Sequence, residues 1–137
     1  MTVEGQLSMA KQIEKVLLVD DDQNIRIVVQ MALEGLTDWK VSLAESGMEA
    51  LKLARDEKPD LILLDMMMPG MDGSTTYTQL REQKDIDTVP IIFMTAKVQT
   101  HEVENHMKLG AAGVIAKPFD PMTLHKEILR ILDSLPS

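Results

Sequence analysis

The stretch Val16-Leu17-Leu18-Val19-Asp20-Asp21-Asp22 runs four apolar residues directly into three carboxylates. A helix or a half-wetted strand would intersperse polar residues along such a run. Unbroken apolar character over about one strand length therefore predicts a strand covered on both faces. Leu61-Ile62-Leu63-Leu64, followed by Asp65, and Ile91-Ile92-Phe93-Met94, followed by Thr95, repeat the pattern. Val41-Ser42-Leu43-Ala44 and Gly113-Val114-Ile115-Ala116 are weaker versions, expected as an edge strand and a short fifth strand.

Helical patterns fill the intervals. Ile25, Val28, Val29, Ala32 and Leu33 share one face at i, i+3, i+4 spacing, as do Leu124, Ile128, Ile131, Leu132 and Leu135. Asp120 is placed as N-cap of the last helix, with Pro121 at its first position. Ala50, Leu51 and Ala54 mark a helix that should stop before Pro59. Ser74 to Gln83 is a weaker helix, because Thr75, Thr76 and Thr78 are poor helix formers. Thr100 to Leu109 is closed by Gly110. Strand and helix thus alternate five times. Right-handed crossovers turn that order into an α/β fold, a five-stranded parallel sheet doubly wound with helices on both faces. Of the two common strand orders, five strands fit 2-1-3-4-5.

The 137 residues suit one domain, and 45% hydrophobic content supplies a core. The expected division is a loose tail over 1–14 and a folded unit over 15–135. With no cysteine, disulfides, thiolate metal sites and cysteine nucleophiles are excluded. A net charge of −8 argues against direct nucleic-acid binding. No apolar run approaches the ~20 residues that span a bilayer. Met1 to Glu14 lacks the features of a signal peptide, so a cytoplasmic, non-membrane protein is expected.

In an open parallel sheet, ligands bind outside the carboxyl ends of the strands. Those ends carry Asp20, Asp21 and Asp22 after the first strand, Asp65 after the third, Thr95 after the fourth and Lys117 after the fifth. Converging carboxylates repel one another unless a cation intervenes. Oxygen-only donors select a hard ion, and a few carboxylates with water suit Mg²⁺. A partly filled magnesium sphere beside one ammonium and one hydroxyl meets the needs of phosphoryl transfer. Each residue alone has a plainer reading: Asp20 to Asp22 could cap the first helix, and Asp65 could open a turn through Pro69-Gly70. Their joint order along four strand ends makes chance a poor explanation.

Val19-Asp20-Asp21-Asp22, the segment Leu64 to Gly73, Met94-Thr95-Ala96 and Lys117-Pro118-Phe119 resemble the receiver domain of two-component response regulators over about Lys15 to Leu135. The chemotaxis regulator of that family has the flavodoxin-like order 2-1-3-4-5, so strand order and resemblance are not independent. The resemblance implies that Asp65 is the phospho-acceptor, taking a phosphoryl group from a phosphohistidine on a sensor histidine kinase or histidine phosphotransferase. It implies Mg²⁺, with Mn²⁺ as a possible substitute, held by Asp21, Asp65 and the Met67 backbone carbonyl, with Asp20 acting through a water. Lys117 and Thr95 would bind the phosphoryl group, and Ala96 would leave room for it. The Lys117–Pro118 peptide would be cis.

The chain also departs from the family pattern. Val114 stands where the family often has a switching aromatic, and Met67 and Lys97 occupy positions that tune water access to the phosphoryl group. Asp22 is read as support or a helix cap. Trp39 and Tyr77 are read as isolated and, like the three histidines, carry no site signal, and the 11 methionines are mostly core filler. The expected function is a phosphorylation-dependent switch acting on a downstream protein through the fourth helix, fifth strand and fifth helix, not an enzyme. The chain ends just past the fifth helix, as expected of a stand-alone receiver or one cut from a larger regulator. A haloacid-dehalogenase-type phosphatase would need an Asp where Met67 stands. A flavodoxin-like FMN protein would need a Ser/Thr/Gly-rich phosphate loop where three aspartates stand.

Overall fold

The computed structural model describes residues 13–96, 101–108 and 110–135. Its elements are β1 (Lys15–Val19), α1 (Gln23–Leu36), β2 (Lys40–Ala44), α2 (Gly47–Glu57), β3 (Leu61–Asp65), α3 (Gly73–Arg81), a 3₁₀ turn (Lys84–Ile86), β4 (Ile91–Thr95), α4 (His101–Lys108), β5 (Gly113–Ala116) and α5 (Leu124–Asp133). The strands form one parallel sheet in the expected order β2-β1-β3-β4-β5.

The continuous apolar runs have their explanation in two cores. Successive strand residues point to opposite faces. Val16, Leu18, Leu63, Ile92 and Ile115 pack under Val29, Leu33, Leu124, Ile128 and Leu132 of α1 and α5. Leu17, Val19, Ile62, Leu64 and Phe93 pack on the other face with Ala50, Ala54, Tyr77 and Leu80 of α2 and α3. Every residue of β3 and β4 is buried. Fully burying one such aliphatic side chain contributes about 1.5–3 kcal/mol.

Local chemistry sets the helix ends. Asp22 caps α1 by accepting 2.8 Å from the Asn24 N–H. Ser46 caps α2, which ends at Lys58 in the left-handed region, just before Pro59. Asp72 caps α3 by accepting 2.9 Å from the Thr75 N–H. That helix ends two residues before the expected Gln83, whose side chain donates to the Leu51 carbonyl at 3.1 Å instead. Its threonines satisfy themselves: Thr76 and Thr78 hydroxyls donate back to the Asp72 and Ser74 carbonyls at 2.9 and 3.1 Å. Gly110 follows α4 at φ +102°, where a side chain would be strained; Thr100 and Leu109, the expected helix limits, lie outside the described residues.

Four expectations need correction. Among the described residues Met31, Met48, Met67, Met107 and Met122 are exposed, against Met66, Met68 and Met94 buried, so the methionines are not mostly core filler. Asp120 does not cap α5: it accepts from the Met122 N–H at 2.9 Å, its carbonyl accepts from Thr123 at 3.1 Å, and the helix starts only at Leu124. The Asp-Pro pair opens a turn that precedes the helix. Trp39 and Tyr77 are core residues, Tyr77 with its ring 5.4 Å from that of Phe93 and under the Arg81 guanidinium. Ile13 and Glu14 belong to the folded unit. Ile13 is buried in the α1–α5 core, and the Glu14 carbonyl accepts from the Lys40 N–H at 2.8 Å. Residues 1–12 lie outside the described residues, among which no helix is long and apolar enough to cross a membrane.

Candidate functional site

In-register parallel pairing brings the carboxyl ends of β1, β3, β4 and β5 to one edge. Val19 pairs with Leu64, Asp65 with Met94 and Thr95 with Ala116, so Asp20, Asp65, Thr95 and Lys117 follow one another across the sheet. The buried polar residues among those described are Asp20, Asp65, Thr95 and Thr76. Burying carboxylates is costly unless they are compensated, so three buried polar groups at one edge mark it as a site.

Carboxylate oxygens of Asp20, Asp21 and Asp65 lie within 4.8 Å of one another, with Asp21 exposed and the other two buried. Lys117 Nζ is 2.8 Å from Asp20 Oδ2 and 3.5 Å from Asp65 Oδ1. Asp20 Oδ1 accepts from the Asp22 N–H at 2.9 Å, and Asp65 Oδ1 from the Met67 N–H at 3.1 Å. Thr95 ends β4, and its carbonyl accepts from the Lys117 N–H at 2.8 Å, tying the fourth strand to the lysine. Ala96 is exposed beside it. The Lys117–Pro118 peptide is cis. Lys97 lies outside the described residues.

The electrostatics follow from that crowding. Asp65 is pushed up to about 6, chiefly by burial and further by the Asp20 charge, against the pull of the Met67 N–H and of Lys117. Burial works against the Lys117 charge, but the Asp20 and Asp65 carboxylates outweigh it and hold the ammonium above its ordinary value. A cation among the three carboxylates would relieve the repulsion, and a set of hard oxygen donors fits Mg²⁺. Among the described residues this cluster contains neither histidine nor sulfur ligand.

Two residues that support the site were given no role in the sequence reading. A Cβ on Gly73 would stand 2.6 Å from the Asp65 carbonyl oxygen and 2.7 Å from Met66 Cα, so only glycine lets α3 start against the end of β3. Its N–H donates to the Met66 carbonyl at 3.1 Å and closes the loop. The other is Arg26, whose Nη1 donates 2.7 Å to the Asp20 carbonyl. Both act on main-chain atoms, and only the position of Gly73 near a turn hinted at either.

The chain matches the family model described as the response regulator receiver domain over residues 16–129. Its fold is similar to that of chemotaxis protein CheY4 of Vibrio cholerae, with a TM-score of 0.82 and 34% identity over 88% of this chain and 99% of that one. The receiver domain of sensor histidine kinase PA1611 of Pseudomonas aeruginosa was solved with a magnesium ion coordinated in its active-site cleft. It gives a TM-score of 0.77 and 30% identity over 88% of this chain and 98% of that one. The alkaline phosphatase synthesis transcriptional regulatory protein PhoP of Bacillus subtilis is 40% identical over 119 residues, which is 87% of this chain and 48% of that protein. The chain thus spans about half the length of the curated relatives it matches. With the family model extending from β1 into α5, the chain belongs to the receiver domains of two-component response regulators, a family of phosphorylation-dependent switches.

Proposed function

We propose that Asp65 is the phospho-acceptor. The observation that carries this is the buried Asp65 carboxylate, grouped with Asp20 and Asp21 within 4.8 Å and facing the Lys117 ammonium at 3.5 Å. An Asp65 oxygen attacks the phosphorus of a phosphohistidine; the P–N bond breaks, an acyl phosphate forms and the imidazole departs. Lys117 is already oriented toward Asp65 and meets the incoming oxygens, while the Thr95 hydroxyl and the Ala96 N–H complete their hydrogen bonding. Asp21, Asp65 and the Met67 carbonyl would hold Mg²⁺, with Asp20 acting through a water; Mn²⁺ would serve as well. When bound, the ion supplies positive charge against the phosphoryl oxygens.

In this reading residues 15–135 form the receiver unit, with Ile13 and Glu14 packed onto it. The donor is a sensor histidine kinase or a histidine phosphotransferase, and the setting is cytoplasmic. The chain is a switch and not an enzyme with a diffusible product. Output goes to a protein through α4, β5 and α5, because Thr95 leads toward α4 and Lys117 closes β5. The net charge of −8 speaks against direct DNA contact by this unit. Met67 in place of a general acid weighs against a dehalogenase-type phosphatase, and the aspartates after β1 weigh against an FMN phosphate loop.

The test is incubation with a small phosphodonor and Mg²⁺, followed by intact mass and site mapping. Wild type gains one phosphoryl group at Asp65, lost with chelator, and Asp65→Asn gains none there. Equal labelling of the Asp65→Asn protein would overturn the assignment.

A further inference from the structure

Arg26 holds an unusual position for a guanidinium. It lies on the first turns of α1 with only 14% of its side chain exposed. Nη1 donates 2.7 Å to the main-chain carbonyl of Asp20, and Nη2 lies 3.7 Å from Glu45 in the turn after β2. An ion pair with a carboxylate as exposed as Glu45, at 68%, contributes little and does not account for burying the group. The bond to the Asp20 carbonyl is the stronger contact.

That carbonyl shares a rigid plane with the N–H of Asp21. Fixing its direction fixes the peptide through which Asp21 is carried away from the strand. The preceding peptide is fixed as well, because the Asp20 N–H donates to the Ala44 carbonyl at 3.0 Å. Asp20 is therefore pinned at both of its main-chain polar atoms. Its carboxylate, fully buried, accepts from the Asp22 N–H and from Lys117 Nζ.

We propose that Arg26 is a positioning residue for the cation site, clamping the Asp20–Asp21 peptide so that the exposed Asp21 carboxylate stays beside the buried Asp20 and Asp65. This rests on the phosphoryl-transfer reading of the same site. The guanidinium fork serves two directions at once, toward the Asp20 carbonyl and toward Glu45; a lysine ammonium, a point charge on a flexible stem, cannot reproduce that. A purely electrostatic role, in which Arg26 merely offsets acidic charge, would be met equally well by lysine.

The full chain is compared as wild type, Arg26→Met and Arg26→Lys. Mg²⁺ alone, without phosphodonor, is titrated by amide NMR. In chelator, water exchange of the Asp22 N–H is measured, since that group reports the bond to Asp20 Oδ1. Both variants should weaken Mg²⁺ binding about tenfold, as expected for loss of a partner that orients a ligand. Both should also speed exchange at Asp22. An Arg26→Lys protein with wild-type Mg²⁺ affinity and wild-type Asp22 exchange overturns the clamp, whatever Arg26→Met does, and it carries the test should Arg26→Met fail to fold. If wild type itself binds no Mg²⁺, the phosphoryl-transfer reading fails. The Asp22 exchange of Arg26→Lys then decides the clamp alone: faster supports it, unchanged overturns it.

Discussion

On β1 and β3 the strand-end site is fastened by main-chain geometry. The Asp20 N–H, carbonyl and carboxylate are all engaged, and Asp65 sits between the Met67 N–H and the glycine-dependent start of α3. On β4 and β5 the side-chain fastening is electrostatic. Lys117 reaches back from the end of β5 to Asp20 and Asp65, and its own N–H bonds to the Thr95 carbonyl. The difference matters because geometry resists a change of charge, whereas an ion pair responds to it. A phosphoryl group on Asp65 would leave the acidic half in place and redistribute the partners of Lys117 and Thr95. Those residues continue into the segments that meet α4 and α5, so local charge can bias two packings of a distant face.

Removing the ammonium should break this division most severely. Lys117→Met leaves the buried Asp20 without its 2.8 Å partner, which should cost about 3 kcal/mol in the metal-free protein. Mg²⁺ should recover much of that loss. Thermal melts in chelator and in Mg²⁺ check it; equal destabilisation in both would show that the lysine does not balance the acidic half.

The pH dependence of stability sharpens the same contrast. Burial, with the Asp20 charge, pushes Asp65 up to about 6 in the folded chain against an ordinary 3.8. Between those values the folded protein keeps a proton that the unfolded chain has released. Stability of the metal-free protein therefore falls as pH rises through this window, by up to about 3 kcal/mol from this group. Urea midpoints in chelator from pH 4 to 7 should show the fall in wild type and lose that component in Asp65→Asn. Parallel profiles would contradict it.

The smallest effect separates two neighbours within the acidic half. Asp22→Ala removes the cap of α1 and should cost about 1 kcal/mol. It should weaken Mg²⁺ less than Asp21→Ala does, by titration of the metal alone. The reverse order would mean that the ligand is misassigned.

Much of this molecule was legible in the sequence for a physical reason. Strands buried on both faces must be apolar throughout, so β1, β3 and β4 announced themselves, and with them the polar residues at their ends. The last helix was misplaced at its start because Asp120-Pro121 suits a turn as well as a cap, and only the bonds to Met122 and Thr123 decide. Tyr77 looked isolated because its partners, Phe93 and Arg81, meet it through packing. Adjacent Asp20 and Asp21 could not be told apart by burial, yet one is enclosed and the other exposed. Arg26 was invisible because it acts on a carbonyl, which every residue has.

The division between a fixed half and a responsive half is tested most directly by amide NMR with and without beryllofluoride, a phosphoryl mimic, in Mg²⁺. Large shifts should appear at Thr95, Ala96 and Lys117 and extend through His101–Lys108, while α1 beyond its first turn stays put. Shifts confined to the carboxylate cleft, with His101–Lys108 unmoved, would contradict the account.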